Sequence, residues 1–389
     1  MNRTLLLILI LSSILHLSFI LVSQPFMERN FDAESWLVCG GAVAEGNNVY
    51  ITGEARCNYP PLWYYLIAPW IFLLGKTYAT IIPIKIMLTA FNLLMSVVLY
   101  HLAAYKLSER AALTIAGVYA FHPISVYIAA IHGQIDGIAI FFVMLTIYLL
   151  VRYSRENDQR LLDLAALSIG LGAALKIFPI FLLPFLLFRK EVTKKIRFFL
   201  LAGVPGALVF LPYIFSIESL IAIKTYVLGY GGGFAGWGFA LLLRVFLPEN
   251  ILIVISAWLK PLATPIALAA VVVVGWLARK QELLVGATAV FVALFIFLQN
   301  WAAQYVIWLL PFAVMAPHWP SIAHQVSSTL AAAFWAGSNI VKVITVLGLT
   351  TSFLLGLSSI FRIVTWVTVI IWGCYLISPR LRRFLEKAL

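Results

Sequence analysis

The sequence predicts an all-α, polytopic membrane protein, with about 12 transmembrane helices in a range of roughly 11 to 13. Of its 389 residues, 63% are hydrophobic and only 11% are charged, whereas a soluble domain carries about 25% charged residues. The formal net charge of +12 lies mostly in short basic clusters between apolar runs. This pattern indicates membrane topology and contact with anionic lipid, and it argues against a nucleic-acid partner. We expect one membrane domain over residues 1–389.

The predicted spans are apolar runs, because a helix needs roughly 20 apolar residues to cross the hydrocarbon core. The first run follows a basic start and lacks a clear small-residue cleavage site, so we interpret it as a retained span. In chain order the runs are 5–22, 81–104, 111–129, 137–151, 161–175, 178–188, 198–215, 264–277, 283–298, 305–316, 326–347 and 360–377.

Basic clusters predict the orientation of these spans, since short cytoplasmic loops are enriched in Lys and Arg. With the N-terminus inside, every cluster falls on the cytoplasmic side. The clusters are Lys106/Arg110, Arg152/Arg155/Arg160, Arg189/Lys190/Lys194/Lys195/Arg197, Arg279/Lys280 and Arg380/Arg382/Arg383.

The extracytoplasmic side then receives two long segments, 23–80 and 216–260, and the short turns "HGQIDG" and "QNWAAQ". Two apolar stretches in the long segments, "LWYYLIAPWIFLLG" and "FALLLRVFL", are too short to span the membrane. We predict that they form interfacial or re-entrant helices, with their aromatic residues at head-group depth.

Asp32 is a carboxylate whose depth the sequence predicts, because it follows directly after the first span. If partly desolvated at the outer interface, it can act as a general base; the alternative is an ordinary solvated loop residue. Glu34, Glu45 and Glu54 lie further along the same loop, and we interpret them as solvated. "NYPP" at 58–61 is interpreted as a turn.

The three cysteines do not suggest a metal site, because no Cys/His cluster has the spacing of metal ligands. Cys39 and Cys57 share the first outer loop. An oxidising compartment there allows a disulfide or two free thiols. Cys374 lies in the last predicted span.

The segment "HGQIDG" places His132, Gln134 and Asp136 between two apolar runs, and its glycines, Gly133 and Gly137, permit a sharp turn. One interpretation is a polar turn at the water interface. The other is that the three side chains point into an outer cavity and bind hydroxyl groups of a polar ligand, since facing lipid is unfavourable.

Lys176 lies inside an otherwise apolar stretch, "GLGAALKIFPIFLLPFLLF". Its long side chain can extend toward the interface, or it can supply a positive charge to a phosphate. A buried lysine needs an anion to keep its proton, so we favour a phosphate partner.

Two later segments carry aromatic and polar residues on the predicted outer side. In "YVLGYGGGFAGWGFALLLR", Tyr230 and Trp237 can stack on a sugar, and Arg244 can contact a phosphate or anchor at the interface. The run lacks the strand–GxxxxGK–helix context of a nucleotide-binding loop. In "FLQNWAAQYVIWLLPF", Gln304 and Tyr305 can bind hydroxyl groups or belong to an interfacial belt.

Five motifs in this order resemble the GT-C superfamily of integral-membrane glycosyltransferases. The chain looks in particular like the glycosyltransferase family 87 type, which includes polyprenyl-phosphomannose-dependent mannosyltransferases. It is also similar to the eukaryotic glucosyltransferases that build the lipid-linked oligosaccharide. The motifs are Asp32 after the first span, "YPP" at 59–61, "HGQIDG" at 132–137, "LKIFP" at 175–179 and "QYVIWLLP" at 304–311.

The resemblance implies a GT-C-type bundle and an inverting transfer of a hexose, with mannose favoured. The donor would be a polyprenyl-phosphate sugar and the acceptor a lipid or lipid-linked glycan, at the extracytoplasmic face of the plasma membrane. Asp32 would be the general base, without a cofactor or metal. Lys176 and Arg244 would bind the donor phosphate. The sugar- or acceptor-binding residues would be His132, Gln134, Asp136, Tyr230, Trp237, Gln304 and Tyr305.

The sequence departs from the glucosyltransferases at two places. Asp136 stands where they carry asparagine, and "QNWAAQY" stands in place of their histidine-rich segment, so the sugar stays open. The alternative function is a transporter or flippase of a lipid-linked anion or glycan. Such a protein needs alternating access, which is commonly built from internal repeats, and none is evident in the sequence.

Overall fold

In the computed structural model, which describes residues 2–25, 30–229, 237–298, 302–339 and 350–378, the secondary structure is helical with no strand. The predicted all-α class is therefore confirmed. Contacts divide the chain into two compact units. The first comprises Met1–Ile180 and Lys190–Tyr230, and the second comprises Phe181–Arg189 and Gly231–Leu389.

The α-helices are numbered here in chain order. They are α1 (Arg3–Ser23), α2 (Phe31–Ala44), α3 (Val49–Thr52), α4 (Pro61–Leu74), α5 (Ile81–Ala104), α6 (Glu109–Phe121), α7 (Pro123–Val126), α8 (Asp136–Glu156), α9 (Gln159–Leu175), α10 (Leu183–Leu187), α11 (Lys195–Phe210), α12 (Ile217–Ala222), α13 (Phe239–Phe246), α14 (Glu249–Leu277), α15 (Leu283–Phe297), α16 (Leu310–Met315), α17 (Trp319–Asn339) and α18 (Thr351–Ile377). Wider π-helical turns extend α7 over Tyr127–His132 and α12 over Ile223–Leu228.

Within the described residues, six helical segments are long and apolar enough to cross a membrane. They are Arg3–Ser23, Tyr78–Ala104, Asp136–Glu156, Lys195–Tyr213, Pro261–Lys280 and Thr351–Ile377. Shorter apolar helices of 10–17 residues are Pro61–Leu74, Phe178–Leu187, Glu249–Leu259, Leu283–Phe297 and Ala303–Met315. Several of the predicted short spans, among them 178–188, 283–298 and 305–316, coincide with these shorter helices, and the total of about 12 stays a prediction.

A seventh span is formed if the pair Glu109–Phe121 and Pro123–His132, bent by 46°, crosses the membrane as one broken helix. The predicted run 111–129 is bent here because Pro123 has no backbone N–H and disfavours the helical conformation of the residue before it. His122 is accordingly extended, with φ −62° and ψ 132°, and its ring nitrogen accepts a hydrogen bond from the Ile124 N–H at 3.2 Å.

The segment 216–260, which we predicted as one outer loop, is more helical than expected. The stretch predicted as an interfacial helix is α13, but α14 begins at Glu249, 15 residues before the predicted span at 264. Pro248 precedes its first turn. A proline is tolerated there because the first N–H groups of a helix have no partner within the helix. Pro261 and Pro265 lie inside the helix, and neither proline ends it.

A hydrogen-bonded polar network joins α1, α5, α6 and α7 in the first unit. The Asn92 amide donates to Ser125 Oγ at 2.5 Å and contacts His16 Nε2 at 3.1 Å, while its oxygen accepts from the Tyr119 hydroxyl at 2.9 Å. All four side chains are buried. Among apolar helices such groups must find partners inside the protein, and this one amide satisfies three helices at once.

Replacing the Asn92 amide should therefore destabilise the first unit. We expect Asn92→Leu to lower the free energy of unfolding by about 1–3 kcal/mol, because it leaves buried polar groups without a partner. The measurement is denaturant or thermal unfolding of the purified protein in detergent. Leu94→Val, at a position 47% exposed on the same helix, is the control and should change stability by less than about 0.5 kcal/mol. Equal stability of both variants would contradict the assigned role of the network.

The segment that we predicted as the first outer loop is a folded cap built on α2, α3 and α4. Its core contains Trp36 and Trp63, which pack edge to face at 5.2 Å, together with the buried Tyr50 and Tyr64. The loop is therefore able to hold side chains in fixed positions, which a solvated loop does not do.

In the second unit, α17 and α18 pack along each other through small polar residues. Thr365 Oγ1 donates to Ser327 Oγ at 3.1 Å, and Ser358 Oγ donates to the Ala331 carbonyl at 2.9 Å. Hydroxyl groups that bond between helices allow close packing in an apolar environment.

Candidate active site

The position of Asp32 is set by the start of α2. The Asn30 side chain caps this helix, since its Oδ1 accepts from the N–H groups of Asp32 at 3.0 Å and Ala33 at 3.2 Å. The Asn30 Nδ2 group donates to the His132 carbonyl at 3.1 Å. One residue thus begins the helix, places a carboxylate in its first turn and joins both to the "HGQIDG" segment. The positive end of the helix dipole therefore lies next to this carboxylate.

The predicted sharp turn in "HGQIDG" is confirmed, and its conformational demand falls on Gly133. Gly133 has φ +75° and ψ 51°, in the left-handed region where a side chain is strained. A Cβ atom there would also lie 3.1 Å from Lys85 Cε. Gly137, which we predicted to permit the turn, lies instead in the first turn of α8.

Gln134 joins this turn to the cap. Its Nε2 donates to Asp32 Oδ2 at 2.5 Å, and its Oε1 accepts from the Tyr59 hydroxyl at 3.4 Å. Gln134 is 1% exposed and Asp32 is partly buried. The amide that we predicted to bind a sugar hydroxyl therefore holds the predicted base in this structure.

Asp136 and Lys176 form a buried ion pair, with Lys176 Nζ 2.7 Å from Asp136 Oδ2. The pair brings the start of α8 to the end of α9, where Lys176 leaves the helix in an extended conformation. The Lys176 ammonium also lies 5.0 Å from the centre of the Tyr59 ring, a cation–π distance. The structure thus supplies a carboxylate as the anion that we had predicted to be a phosphate.

His132 completes the group on the same turn. Its ring meets that of Tyr127 edge to face at 5.6 Å. The first unit therefore brings together five predicted residues, with Tyr59 linking the Asp32–Gln134 contact to the ion pair. These residues are Asp32, His132, Gln134, Asp136 and Lys176.

The other predicted residues belong to the second unit or lie outside the described part of the chain. Trp237 is buried, with the Arg362 guanidinium 5.3 Å from its ring centre. Arg244 is exposed on α13. Gln304 is partly buried, and Tyr305 stacks on Trp308 at 4.2 Å. Tyr230 falls outside the described residues.

Sequence reasoning missed Asn30, Tyr59 and Lys85 as parts of this region. Lys85 is fully buried in α5, and its Nζ donates to Ser23 Oγ at 2.8 Å. A signal for Lys85 was present, because it interrupts an apolar run just as Lys176 does. Tyr59 belongs to the "YPP" motif of the resemblance. We assigned it no role at the site, because a tyrosine beside two prolines is also typical of an interfacial turn.

A cavity of about 300 Å³ lies beside α2, but not at these residues. Glu34, Leu37 and Val38 line it from α2, and Lys76 and Tyr78 from the segment after α4. Asp32 is absent from its lining. Asp32 and the α2 residues that line the cavity thus lie on different sides of the helix. Among the residues that the structure describes, no group of three or more His, Cys, Asp or Glu is arranged to hold a metal ion.

A disulfide joins Cys39 to Cys57, which answers a question that the sequence left open. Cys39 lies seven residues after Asp32, two helical turns along α2, and Cys57 lies two residues before Tyr59. The bond therefore fixes the segment that carries Asp32 relative to the segment that carries Tyr59.

Removing this bond should loosen the cap. The two cysteines are 18 residues apart in sequence, and a loop of this length contributes about 3 kcal/mol to stability in the chain-entropy model. We expect Cys39→Ser/Cys57→Ser to lower the unfolding midpoint of the purified protein, with Cys374→Ser as the control. An unchanged midpoint in the double variant would contradict a stabilising role for the bond.

Residues 58–215 match the family model "Dolichyl-phosphate-mannose-protein mannosyltransferase". The matched part contains the segment from Tyr59 to Lys176 that carries most of the site. Together with the all-helical fold, this match confirms the resemblance to the GT-C superfamily of integral-membrane glycosyltransferases, enzymes that take a sugar from a lipid-linked donor. The family 87 subgroup stays a prediction. No curated protein sequence matches the chain.

Three solved structures are similar over most of the chain. ArnT from Cupriavidus metallidurans, bound to undecaprenyl phosphate, is 13% identical with a TM-score of 0.48, covering 94% of this chain and 77% of its own. The Archaeoglobus fulgidus oligosaccharyltransferase tethered to an acceptor peptide is 12% identical with a TM-score of 0.43, covering 94% and 56%. AglB from that organism, with an inhibitory peptide and dolichol-phosphate, is 11% identical with a TM-score of 0.40, covering 92% and 55%. The chain spans just over half the length of both oligosaccharyltransferases.

Proposed function

We propose that the chain is an inverting glycosyltransferase that uses a polyprenyl-phosphate sugar as its donor. The transferred sugar is a hexose, with mannose favoured because the matching family model describes mannosyltransferases. The acceptor is a lipid or a lipid-linked glycan, and the reaction takes place at the extracytoplasmic face. The observation that carries this proposal is the linkage of Asp32 to the Asp136–Lys176 pair. Gln134 hydrogen-bonds both Asp32 and Tyr59, and the Lys176 ammonium lies 5.0 Å from the centre of the Tyr59 ring.

Asp32 is the general base in this proposal. Its Oδ2 atom accepts the Gln134 hydrogen bond, which leaves Oδ1 to accept the proton of the attacking hydroxyl group. The acceptor oxygen then forms a bond to the anomeric carbon while the bond to the phosphate oxygen breaks. A single displacement of this kind inverts the configuration at the anomeric carbon.

The proposed reaction moves negative charge from the base to the phosphate. Asp32 becomes neutral as it takes the proton, while the donor phosphodiester, with one negative charge, becomes a monoester with a charge near −1.5 to −2. A cation next to the phosphate therefore stabilises the transition state more than the bound donor. We propose that Lys176 supplies this charge and that Arg244 is a second contact of the donor phosphate.

The remaining predicted residues keep their proposed binding roles. His132 would contact the sugar or the acceptor, as would Trp237, Gln304, Tyr305 and Tyr230. For Asp136 and Gln134, the geometry favours support of Lys176 and Asp32 respectively.

The first test of this function is the Asp32→Asn variant, assayed for transfer from radiolabelled polyprenyl-phosphate mannose to membrane lipids. We expect a loss of about 10²–10⁴-fold in rate, the usual contribution of a general base, with donor binding retained. Glu34→Gln is a matched control on the same helix, because Glu34 is half exposed and paired with Arg56. It should keep nearly full activity.

Two results would refute parts of this proposal. Full activity of Asp32→Asn removes Asp32 as the base. Movement of the labelled lipid across the membrane without any glycosylated product, in the unaltered protein, supports the flippase instead.

The second test separates the charge of Lys176 from its structural role. Removing Lys176 alone takes the cation out of a buried ion pair, which costs about 3–5 kcal/mol. The comparison is therefore between Asp136→Asn and Asp136→Asn/Lys176→Met, which differ only at the lysine. We expect the double variant to need about 10–100-fold more donor, because a charge-assisted hydrogen bond contributes about 1.5–3 kcal/mol. Equal donor dependence in the two variants would exclude a phosphate contact.

A further inference from the structure

Gln134 lies between two partners that fix the orientation of its amide. A deprotonated carboxylate accepts hydrogen bonds and cannot donate them, so Asp32 requires the N–H end of the amide. The Tyr59 hydroxyl then donates to the other end, Oε1, at 3.4 Å. At 1% exposure, Gln134 has little contact with solvent that could replace either partner.

Tyr59 is itself held on both sides by the core of the cap. Its backbone N–H donates to the Tyr64 hydroxyl at 2.9 Å, and its carbonyl accepts from the Tyr50 hydroxyl at 2.9 Å. Both of these tyrosines are buried to 1% exposure or less. The position of the Tyr59 hydroxyl is thus set by groups that take no part in the proposed chemistry.

Together with the disulfide, these hydrogen bonds close a ring that includes Asp32. From Asp32 it runs through the hydrogen bonds of Gln134 to Tyr59, along two residues to Cys57, across the disulfide to Cys39 and back along α2. The ring joins three parts of the chain: α2, the segment 57–59 and Gln134. A ring of this kind restricts the carboxylate to one orientation before any substrate binds.

We propose that Gln134 is a positioning residue for Asp32 and that Tyr59 fixes the orientation in which Gln134 acts. This inference rests on the proposed role of Asp32 as base, and it gives Gln134 a different role from the sugar contact that the sequence predicted. Gln134 keeps one carboxylate oxygen occupied and directs the other toward the acceptor. Gln134 donates an N–H to one carboxylate oxygen, and a variant without this donor loses a hydrogen bond of the kind that favours the charged form of a carboxylate.

The test is the pH profile of transfer, with acceptor KM measured at each pH. We compare Gln134→Met, which keeps the length but loses the N–H donor, with Gln134→Glu, which adds a carboxylate, and with Tyr59→Phe. Other titratable or charged groups in this region are His132 and Tyr127 on the bent segment, Lys85 on α5, and Glu34 on α2 with its partner Arg56. All of these stay unchanged in the three variants.

For Gln134→Met we expect kcat to fall about 10–100-fold and the acid limb of the profile to move to higher pH, while acceptor KM stays within about twofold. Gln134→Glu should move the acid limb further, because a second carboxylate opposes ionisation of the first. Tyr59→Phe should shift it in the same direction by less. A purely structural role would lower kcat without moving the acid limb.

The proposal is overturned if acceptor KM rises and the pH profile stays in place, because Gln134 would then bind substrate. It is also overturned if the profiles of Gln134→Met and Tyr59→Phe equal that of the unaltered protein. Should Gln134 variants fail to fold, as judged by size-exclusion chromatography, Tyr59→Phe decides the matter alone. Asp32→Asn, assayed in parallel, separates the two hypotheses: activity in that variant refutes the base, whereas inactivity beside a normal Gln134→Met refutes only the positioning role.

Discussion

Polar groups placed among apolar helices must find their partners inside the protein, because lipid offers none. This constraint accounts for the strongest contacts in the first unit. Lys176 is paired with Asp136, Lys85 donates to Ser23, and the Asn92 amide satisfies three neighbours. Two of these contacts adjoin the "HGQIDG" turn, since Asp136 begins α8 beside it and the Lys85 stem packs under Gly133. The turn is therefore held in place by the buried Asp136–Lys176 pair and by the Lys85 side chain.

The proposed mechanism gives a reason for the folded cap of α2, α3 and α4. A carboxylate is useful as a base only if its orientation is fixed, and a solvated loop would let it rotate. The cap supplies this rigidity with its own aromatic core and a disulfide. It also carries the tyrosine that contacts Gln134, so the apolar packing of the cap and the orientation of Asp32 depend on each other.

The sequence predicted the kinds of residues at the site better than it predicted their partners. Asp32 and Lys176 were recognised because a charge beside or inside an apolar run is costly. Their partners were not, because Gln134 lies 102 residues from Asp32, and Asp136 lies 40 residues from Lys176. Pairing over such separations depends on helix packing, which local patterns do not encode.

Some predicted helix boundaries differ from the observed ones for a related reason. Proline ended or bent a helix where a bend was compatible with packing, as at Pro123, but the prolines inside α14 did not end it. A proline removes a backbone hydrogen bond in both places. Packing against neighbouring helices then decides whether the helix continues past it. The all-α class and the first span were predictable because they depend on composition and length. The start of α14 was not, because it depends on contacts.

In the proposed reaction the ion pair has a second consequence for the base. Before the donor binds, the charge of Lys176 is balanced by Asp136. The orientation of Asp32 is set by closer groups, namely the Gln134 N–H and the Asn30 cap at the start of α2. When a phosphate approaches Lys176, it shares that cation with Asp136, and the charge that develops on the leaving phosphate strengthens its share. In the structure, Asp32 and Lys176 are linked through Gln134 and Tyr59. The proposed reaction couples them directly, because the proton that neutralises Asp32 and the charge that appears on the phosphate arise in the same step.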